Sequence, residues 1–299
     1  MYSKTDIVLI FILMLLALKN VDMNHLIKFD MYCKLLLIIL LFILSYNDLT
    51  NEYIRFRDGI LRFSFGFSHP NIFGFVCVNF WIDFIYLHKS KINWFYILLM
   101  GLTILFIDYY ADSRSSGILL IIVLILSLLN QNKISKILEN KIVKNIITNS
   151  WMIFSLLTMI GALLYYHNTD IGLYLDKLFS TRLGHIVTFY QNYHINLFGN
   201  DLILISTEEA SLQGVRSAIL DNAYSHYLLR FGIIFYLFIS YEIKKLFKCS
   251  YHEKNYNLIL ILFVFLIYCL VENRLNKFVF VLFIGKFIYE NTLSSKGEI

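Results

Sequence analysis

Asp112-Ser113-Arg114-Ser115-Ser116-Gly117 runs straight into Ile118-Leu119-Leu120-Ile121-Ile122-Val123-Leu124-Ile125-Leu126-Ser127-Leu128-Leu129, and this stretch decides the architecture. The second half carries no charge and no turn residue, so it reads as a helix whose solvent is lipid. The first half offers Ser113 as an N-cap. It also puts a cation, Arg114, at the helix end where the dipole opposes it. Two resolutions stay open: an anion bound at the helix N-terminus, or a local Asp112–Arg114 pair.

Apolar runs of this kind recur at about 5–19, 31–47, 72–88, 94–110, 115–130, 149–166, 222–241, 256–271 and 276–291. A crossing needs roughly 17–25 residues. The sequence therefore predicts an all-α, polytopic integral membrane protein with about nine transmembrane helices. Residues 1–299 form a single membrane domain, and 167–221 is a long extracytoplasmic loop within it. The composition agrees. Of 299 residues, 58% are hydrophobic and 16% charged, and mean hydropathy is +0.65. Soluble domains carry about 25% charged residues. Cys33, Cys77, Cys249 and Cys269 show no CxxC spacing, which argues against disulfides and a cysteine metal site. The run beginning at Ile7 is followed by no small-residue cleavage site and is expected to stay as a helix.

Lysine fixes the sidedness. Lys89 and Lys91, the cluster Lys133, Lys136, Lys141 and Lys144, and the cluster Lys244, Lys245, Lys248 and Lys254 fall on one side of the predicted spans. By the positive-inside rule that side is cytoplasmic. The basic, amphipathic segment 132–147 is expected to lie on the inner surface. The arginines are Arg55, Arg57, Arg62, Arg114, Arg182, Arg216, Arg230 and Arg274. All fall outside, or in the outer half of a span for Arg230. A planar, permanently charged fork suits phosphate and pyrophosphate. The alternative for any one of them is anchoring a helix end at headgroups.

The densest polar signal is 55–74, where Arg55, Arg57 and Arg62 interleave with Phe56, Phe63, Phe65 and Phe67. Arginine binds phosphate, while the aromatic faces stack on sugar or bury lipid; an interfacial aromatic belt is the plainer reading. Pro70, the sole proline, marks a helix start, with His69 and Asn71 beside it. The loop 167–221 holds Arg182, His185, His194, Glu208, Glu209, Arg216 and Asp221, and one surface helix is expected from Leu173 to Tyr193. Beyond Asp221, the residues Asn222, His226 and Arg230 share one helix face. Charge at that depth is expected to line a wet site, or Arg230 snorkels outward. Glu272 and Arg274 either close a pocket or pair with each other. HExxH, GxGxxG, P-loop and DxD patterns are absent, so no metal or other cofactor is expected.

Taken in order, the residues Arg62, Gly66-Phe67-Ser68-His69-Pro70-Asn71, Ser113-Arg114, Arg182, Phe198-Gly199 and Leu220-Asp221-Asn222-Ala223-Tyr224, running on to Gly232, resemble the Wzy-type bacterial polysaccharide polymerases. These belong to the O-antigen ligase/polymerase superfamily. The resemblance covers about residues 60–275. It implies a GT-C-like fold and a metal-independent glycosyl transfer at the outer face of the bacterial cytoplasmic membrane. A growing glycan would leave undecaprenyl pyrophosphate for a hydroxyl of a new lipid-linked repeat unit. The implied partners are the undecaprenyl pyrophosphate-linked oligosaccharide and the lipid bilayer, with a chain-length regulator and a flippase alongside, and no nucleic acid.

On this reading Arg182, Arg114 and Arg62 neutralise the departing pyrophosphate. The proton acceptor is Asp221, with His226 and His185 as rivals. His69, Asn71, Asn222, Tyr224, Arg230 and Arg216 contact substrate. The related ligases often carry histidine where Asp221 stands here, which keeps the base open. A ligase would use the same site. A lipid-linked oligosaccharide transporter would instead spread polar groups through the membrane midplane.

Overall fold

In lipid, a chain this apolar can close every backbone hydrogen bond only as helix or closed barrel, and the described chain is mostly helical. The structure is a computed structural model. It describes Leu13, Ala17 and residues 22–50, 54–57, 59–88, 93–128, 131–206, 209–210, 213–215 and 217–273. The predicted runs 5–19, apart from those two residues, and 276–291 lie outside these, as do Arg216, Glu208 and Arg274.

The helices are α1 (Met23–Tyr46), α2 (Pro70–Leu87), α3 (Trp94–Phe106, ending in a π-helical turn Ile107–Ala111), α4 (Arg114–Leu128), α5 (Gln131–Glu139) and α6 (Lys141–Thr148). They continue as α7 (Ser150–Tyr166), α8 (Asp170–Leu178), α9 (Arg182–Asn192), α10 (Ala223–His252) and α11 (Tyr256–Tyr268). A hairpin, β1 (Arg55–Arg57) and β2 (Ile60–Arg62), separates α1 from α2.

Among the described residues, two helices are long and apolar enough to cross a membrane, Pro70–Leu87 and Trp94–Ala111. The pair α6 and α7, bent by 70° at its break, makes a third if it acts as one span. Helices α4 and α11 are apolar but shorter. On α3, Phe95, Leu98, Leu102 and Leu105 are all exposed, a stripe that suits contact with lipid tails.

The chain divides into two compact units. Unit A is Asn20–Ile137 with Tyr256–Val264. In it α1 packs on α2, and α2 packs on α4. The close approach of α2 to the start of α4 needs Gly74, where a Cβ would stand 2.8 Å from the hydroxyls of Ser113 and Ser116. The loop aromatics turn inward. Phe65 lies 5.0 Å from Phe73, 5.2 Å from Phe106 and 5.5 Å from Phe42, ring centre to ring centre. Phe67 is buried and packs on Phe73. Of the four phenylalanines expected to meet sugar or lipid, only Phe56 stands well exposed; core packing takes Phe65 and Phe67.

Unit B is Met1–Lys19, Leu138–Asn255 and Phe265–Ile299. Helix α7 packs on α8, α9 and α10, with Ala162, Leu183, Ile186, Phe189, Leu202 and Leu229 at the core. The single surface helix expected over 173–193 is two, α8 and α9. Ser180 and Thr181 between them are left-handed, at φ 55° and 64°. The Thr181 N–H closes onto the Asp176 carbonyl at 2.8 Å, while Asp176 Oδ1 accepts from the Gly184 N–H at 2.9 Å. One acidic residue thereby ends the first helix and caps the second. The basic segment 132–147 is likewise two short helices, parted at Asn140, whose side chain caps α6.

Helix α10 is broken at Gly232 (φ 84°, ψ 175°). The loop before it fills the break. Asn200 donates to the Leu229 carbonyl from both N–H and Nδ2, and the Ile233 N–H reaches the Asn196 carbonyl. A Cβ on Gly199 would sit 2.1 Å from the Arg230 carbonyl, and one on Gly232 would sit 2.4 Å from the Gly199 nitrogen. Two glycines meeting backbone to backbone give a physical reason for both positions.

Candidate functional site

Each unit carries one arginine–carboxylate cluster. In unit A the hairpin is the positioning device. Between its strands Gly59 is left-handed, at φ 81°, a conformation that glycine adopts without steric cost. The register Arg55↔Arg62, Phe56↔Leu61, Arg57↔Ile60 puts Arg57 and Arg62 on one face of the ribbon and Phe56 and Leu61 on the other. The Asp-Gly pair flanked by alternating residues is the sequence signal that announces this hairpin.

The π-helical turn at the end of α3 unwinds into Asp112, which is left-handed at φ 41°. It presents its carbonyl and carboxylate to the ribbon. Arg57 Nη2 donates to the Asp112 carbonyl at 2.7 Å and to Asp112 Oδ2. Arg62 Nε donates to the Ala111 carbonyl at 3.0 Å and lies 3.9 Å from Asp112 Oδ2. Arg114 Nε reaches Asp112 Oδ1 at 3.2 Å. The local Asp112–Arg114 pair is therefore present. The same carboxylate also meets two further guanidiniums, those of Arg57 and Arg62. Arg114 leaves 51% of its side chain exposed while Arg62 keeps 7%, so one cation faces outward and one is structural.

Ser113 sits at the cap position of α4, where its carbonyl accepts from the Gly117 N–H at 2.9 Å and its hydroxyl donates to Ser116 Oγ at 3.0 Å. At α2 the cap is His69, whose Nδ1 accepts from the Asn71 N–H at 3.0 Å with Pro70 at the first helical position. Asn71 Oδ1 instead accepts from Arg62 Nη2 at 2.6 Å. His69, Asn71, Arg62 and Arg114 thus belong to one neighbourhood.

In unit B the first residue of α9 is Arg182. Its Nη2 donates to Glu272 Oε1 at 2.9 Å, its Nη1 to the Phe179 carbonyl at 3.2 Å, and its Nε lies 3.7 Å from Asp221 Oδ2. That buried Nε has no hydrogen-bond partner among the described residues. Glu272 is almost fully buried while the Asp221 side chain is 39% exposed. One cation therefore stands between two carboxylates, one buried and one partly exposed. The sequence left Glu272 either closing a pocket or pairing with Arg274, which lies outside the described residues; its contact with Arg182, 90 residues away, is signalled by no local pattern.

The ladder Asn222, His226, Arg230 faces protein. Asn222 is the N-cap of α10, accepting from the Ser225 N–H at 2.9 Å and donating to the Leu270 carbonyl at 2.9 Å. His226 is buried against Tyr227 and Phe231, and Tyr224 donates its hydroxyl to the Leu266 carbonyl at 2.7 Å. These residues hold α10 to the last turns of the described chain. Arg230 is half-buried and its carbonyl abuts Gly199. The Tyr190 phenol, on α9, is held above its ordinary value by burial. In the 167–221 loop, Glu209 forms a capping box with Ser206. Its Oε2 accepts from the Ser206 N–H at 2.8 Å and its own N–H donates to Ser206 Oγ at 3.2 Å.

An apolar cavity of about 310 Å³ opens between α7 and α9, lined by Met159, Leu163, Tyr166, Val187 and Tyr190 among others. It shares α9 with Arg182, and at 1.5 Å per residue Tyr190 stands about 12 Å along the helix from that arginine. Among the described residues no group of three or more His, Cys, Asp or Glu side chains is placed to hold a metal ion. No protein-family model matches this sequence, and no curated protein or solved structure is similar to it.

Proposed function

We propose that this chain is a membrane glycosyltransferase of the polysaccharide-polymerase kind, moving a growing glycan from a lipid pyrophosphate to a lipid-linked repeat unit at the outer face of the bacterial membrane. The observation that carries the reading is the Asp112 cluster. Three guanidiniums gather around one carboxylate at the start of an apolar helix, a setting of the kind that grips phosphate. Unit B supports it separately. Helix α9 carries a cation at its start and an apolar cavity along its length, features that suit an amphiphile with a pyrophosphate head. Donor and acceptor both carry a pyrophosphate, and each unit has a guanidinium of its own to offer. The fuller architecture of about nine spans and a GT-C-like fold belongs to the same proposal.

In the transfer, an acceptor hydroxyl oxygen bonds to the anomeric carbon as the bond from that carbon to the pyrophosphate oxygen breaks. The hydroxyl proton goes to a base, and the pyrophosphate leaves with its added charge neutralised by arginine. Asp221 is the carboxylate with the exposure this base requires, whereas His226 is buried.

The test is polysaccharide length on a gel from cells lacking the gene, complemented with wild type or with Arg182→Lys, membrane insertion being followed by immunoblot. Collapse of the ladder to single repeat units on lipid carrier, restored by wild type alone, is the expected result. Unchanged length with lost surface attachment would make the protein a ligase. Lipid-linked units trapped on the inner leaflet would make it a transporter.

A further inference from the structure

Helices α1 and α2 share a buried ionic triad outside both arginine clusters. Lys34 Nζ stands 2.5 Å from Asp30 Oδ2 and 2.6 Å from Asp83 Oδ2. The Lys34 and Asp30 side chains keep 13% and 12% of their exposure, and Asp83 keeps 1%. Asp83 lies in the membrane-crossing helix Pro70–Leu87, about 6 Å from its end. Its second oxygen, Oδ1, is buried and has no hydrogen-bond partner among the described residues.

Two carboxylates on one ammonium leave one negative charge in excess. An uncompensated charge in a low-dielectric interior costs several kcal/mol, and two carboxylates sharing a site resist ionising together. Among the described residues the surroundings offer no second cation. Lys28 on α1 is exposed. The elements packed on α2 bring Arg114 of α4 and Asp108 of the π-helical turn. Both are exposed, and α4 begins beside Gly74, about 13 Å along α2 from Asp83. Tyr86 follows on α2, Tyr96 of α3 packs on Phe84, and His88 is stacked on Phe84; none is a permanent cation. A metal ion is disfavoured because Lys34 already occupies the place between the two carboxylates.

We propose that the Asp30–Lys34–Asp83 triad is an intramembrane proton-binding site, in which the bound proton sits on Asp83 Oδ1. Lys34 keeps its charge and ties the Oδ2 atoms of both aspartates, and the proton makes the triad neutral. Asp83 takes the proton in preference to Asp30 because it is the more buried of the two and has a free oxygen. The site stands independently of the glycosyltransferase reading.

The test is the infrared spectrum of the purified full chain in lipid at pH 7.5, with and without heavy-isotope-labelled aspartate. A protonated carboxyl has a carbonyl stretch above the amide band, and ionised carboxylates have none there. The expected result is a label-sensitive band in wild type that is lost in Asp83→Asn and lost in Asp30→Asn as well, because a single carboxylate on Lys34 is already neutral without a proton. No label-sensitive band in wild type overturns the proposal without reference to any variant. A band kept in Asp83→Asn overturns it as well. Asparagine replaces the neutral carboxyl at nearly the same size, so Asp83→Asn is expected to insert as wild type does.

Discussion

The two arginine clusters are built from the same groups in opposite proportion. In unit A three guanidiniums converge on the single carboxylate of Asp112. In unit B a single guanidinium, Arg182, stands between the carboxylates of Glu272 and Asp221. The first arrangement gathers three cations around one acid. The second is held firmly by its buried acid and keeps an exposed acid facing out. Identical residue types are therefore set in different surroundings: around one shared acid in unit A, and between a buried and a partly exposed acid in unit B.

The largest effect is expected where a buried charge loses its partner. Arg182→Ala strands Glu272 and should cost about 3–5 kcal/mol, along with polymer formation. Thermal unfolding of the detergent-purified protein checks this. Adding Glu272→Gln should restore the midpoint and leave the ladder absent. A single variant as stable as wild type would remove the pair from the structure's support.

Asp112→Asn tests the other side of the contrast. Loss of the shared carboxylate leaves three cations facing one another and should cost about 1–3 kcal/mol. It should also tighten binding of inorganic pyrophosphate, measured by calorimetry. Glu272→Gln is expected to destabilise unit B with a smaller gain in pyrophosphate affinity, since only one guanidinium is released there. Equal gains in the two variants would erase the distinction between the clusters.

Arg62→Lys separates fork from charge. The ammonium cannot span both the Ala111 carbonyl and Asn71 Oδ1, so about 1.5 kcal/mol should be lost while net charge stays the same. Arg114→Lys, with its side chain half in solvent, should leave the unfolding midpoint nearly unchanged.

Glu209 lies in neither cluster and gives the smallest effect. Its carboxyl is held below the ordinary range by the Ser206 N–H and hydroxyl. A depressed folded value means that its contribution is present above the ordinary carboxylate range and fades as pH falls through the lowered one. The group is fully exposed, so Glu209→Gln should alter neither the ladder nor the midpoint. Its titration midpoint, followed by NMR, should lie below that of a free glutamate.

What the sequence determined by itself is the local partition between water and lipid. Runs of apolar residues gave helices at 72–88 and 94–110 within a residue or two of Pro70–Leu87 and Trp94–Ala111. Pro70 marked a true helix start, and the apolar run expected from 222 opens a true helix, α10. Such features need only neighbours a few residues apart, so their physics is written in the spacing. The arginine inventory was also legible, as a set too concentrated to ignore. Partnership was not. Whether Asp112 serves Arg114 alone or Arg57 and Arg62 as well depends on a hairpin folding across 55 residues, and Glu272 meets Arg182 across 90. The break of one surface helix into α8 and α9, and the meeting of Gly199 with Gly232, likewise depend on what the chain packs against. Charge and hydropathy fix which medium a residue prefers. Only the path of the folded backbone decides which opposite charge it finds there.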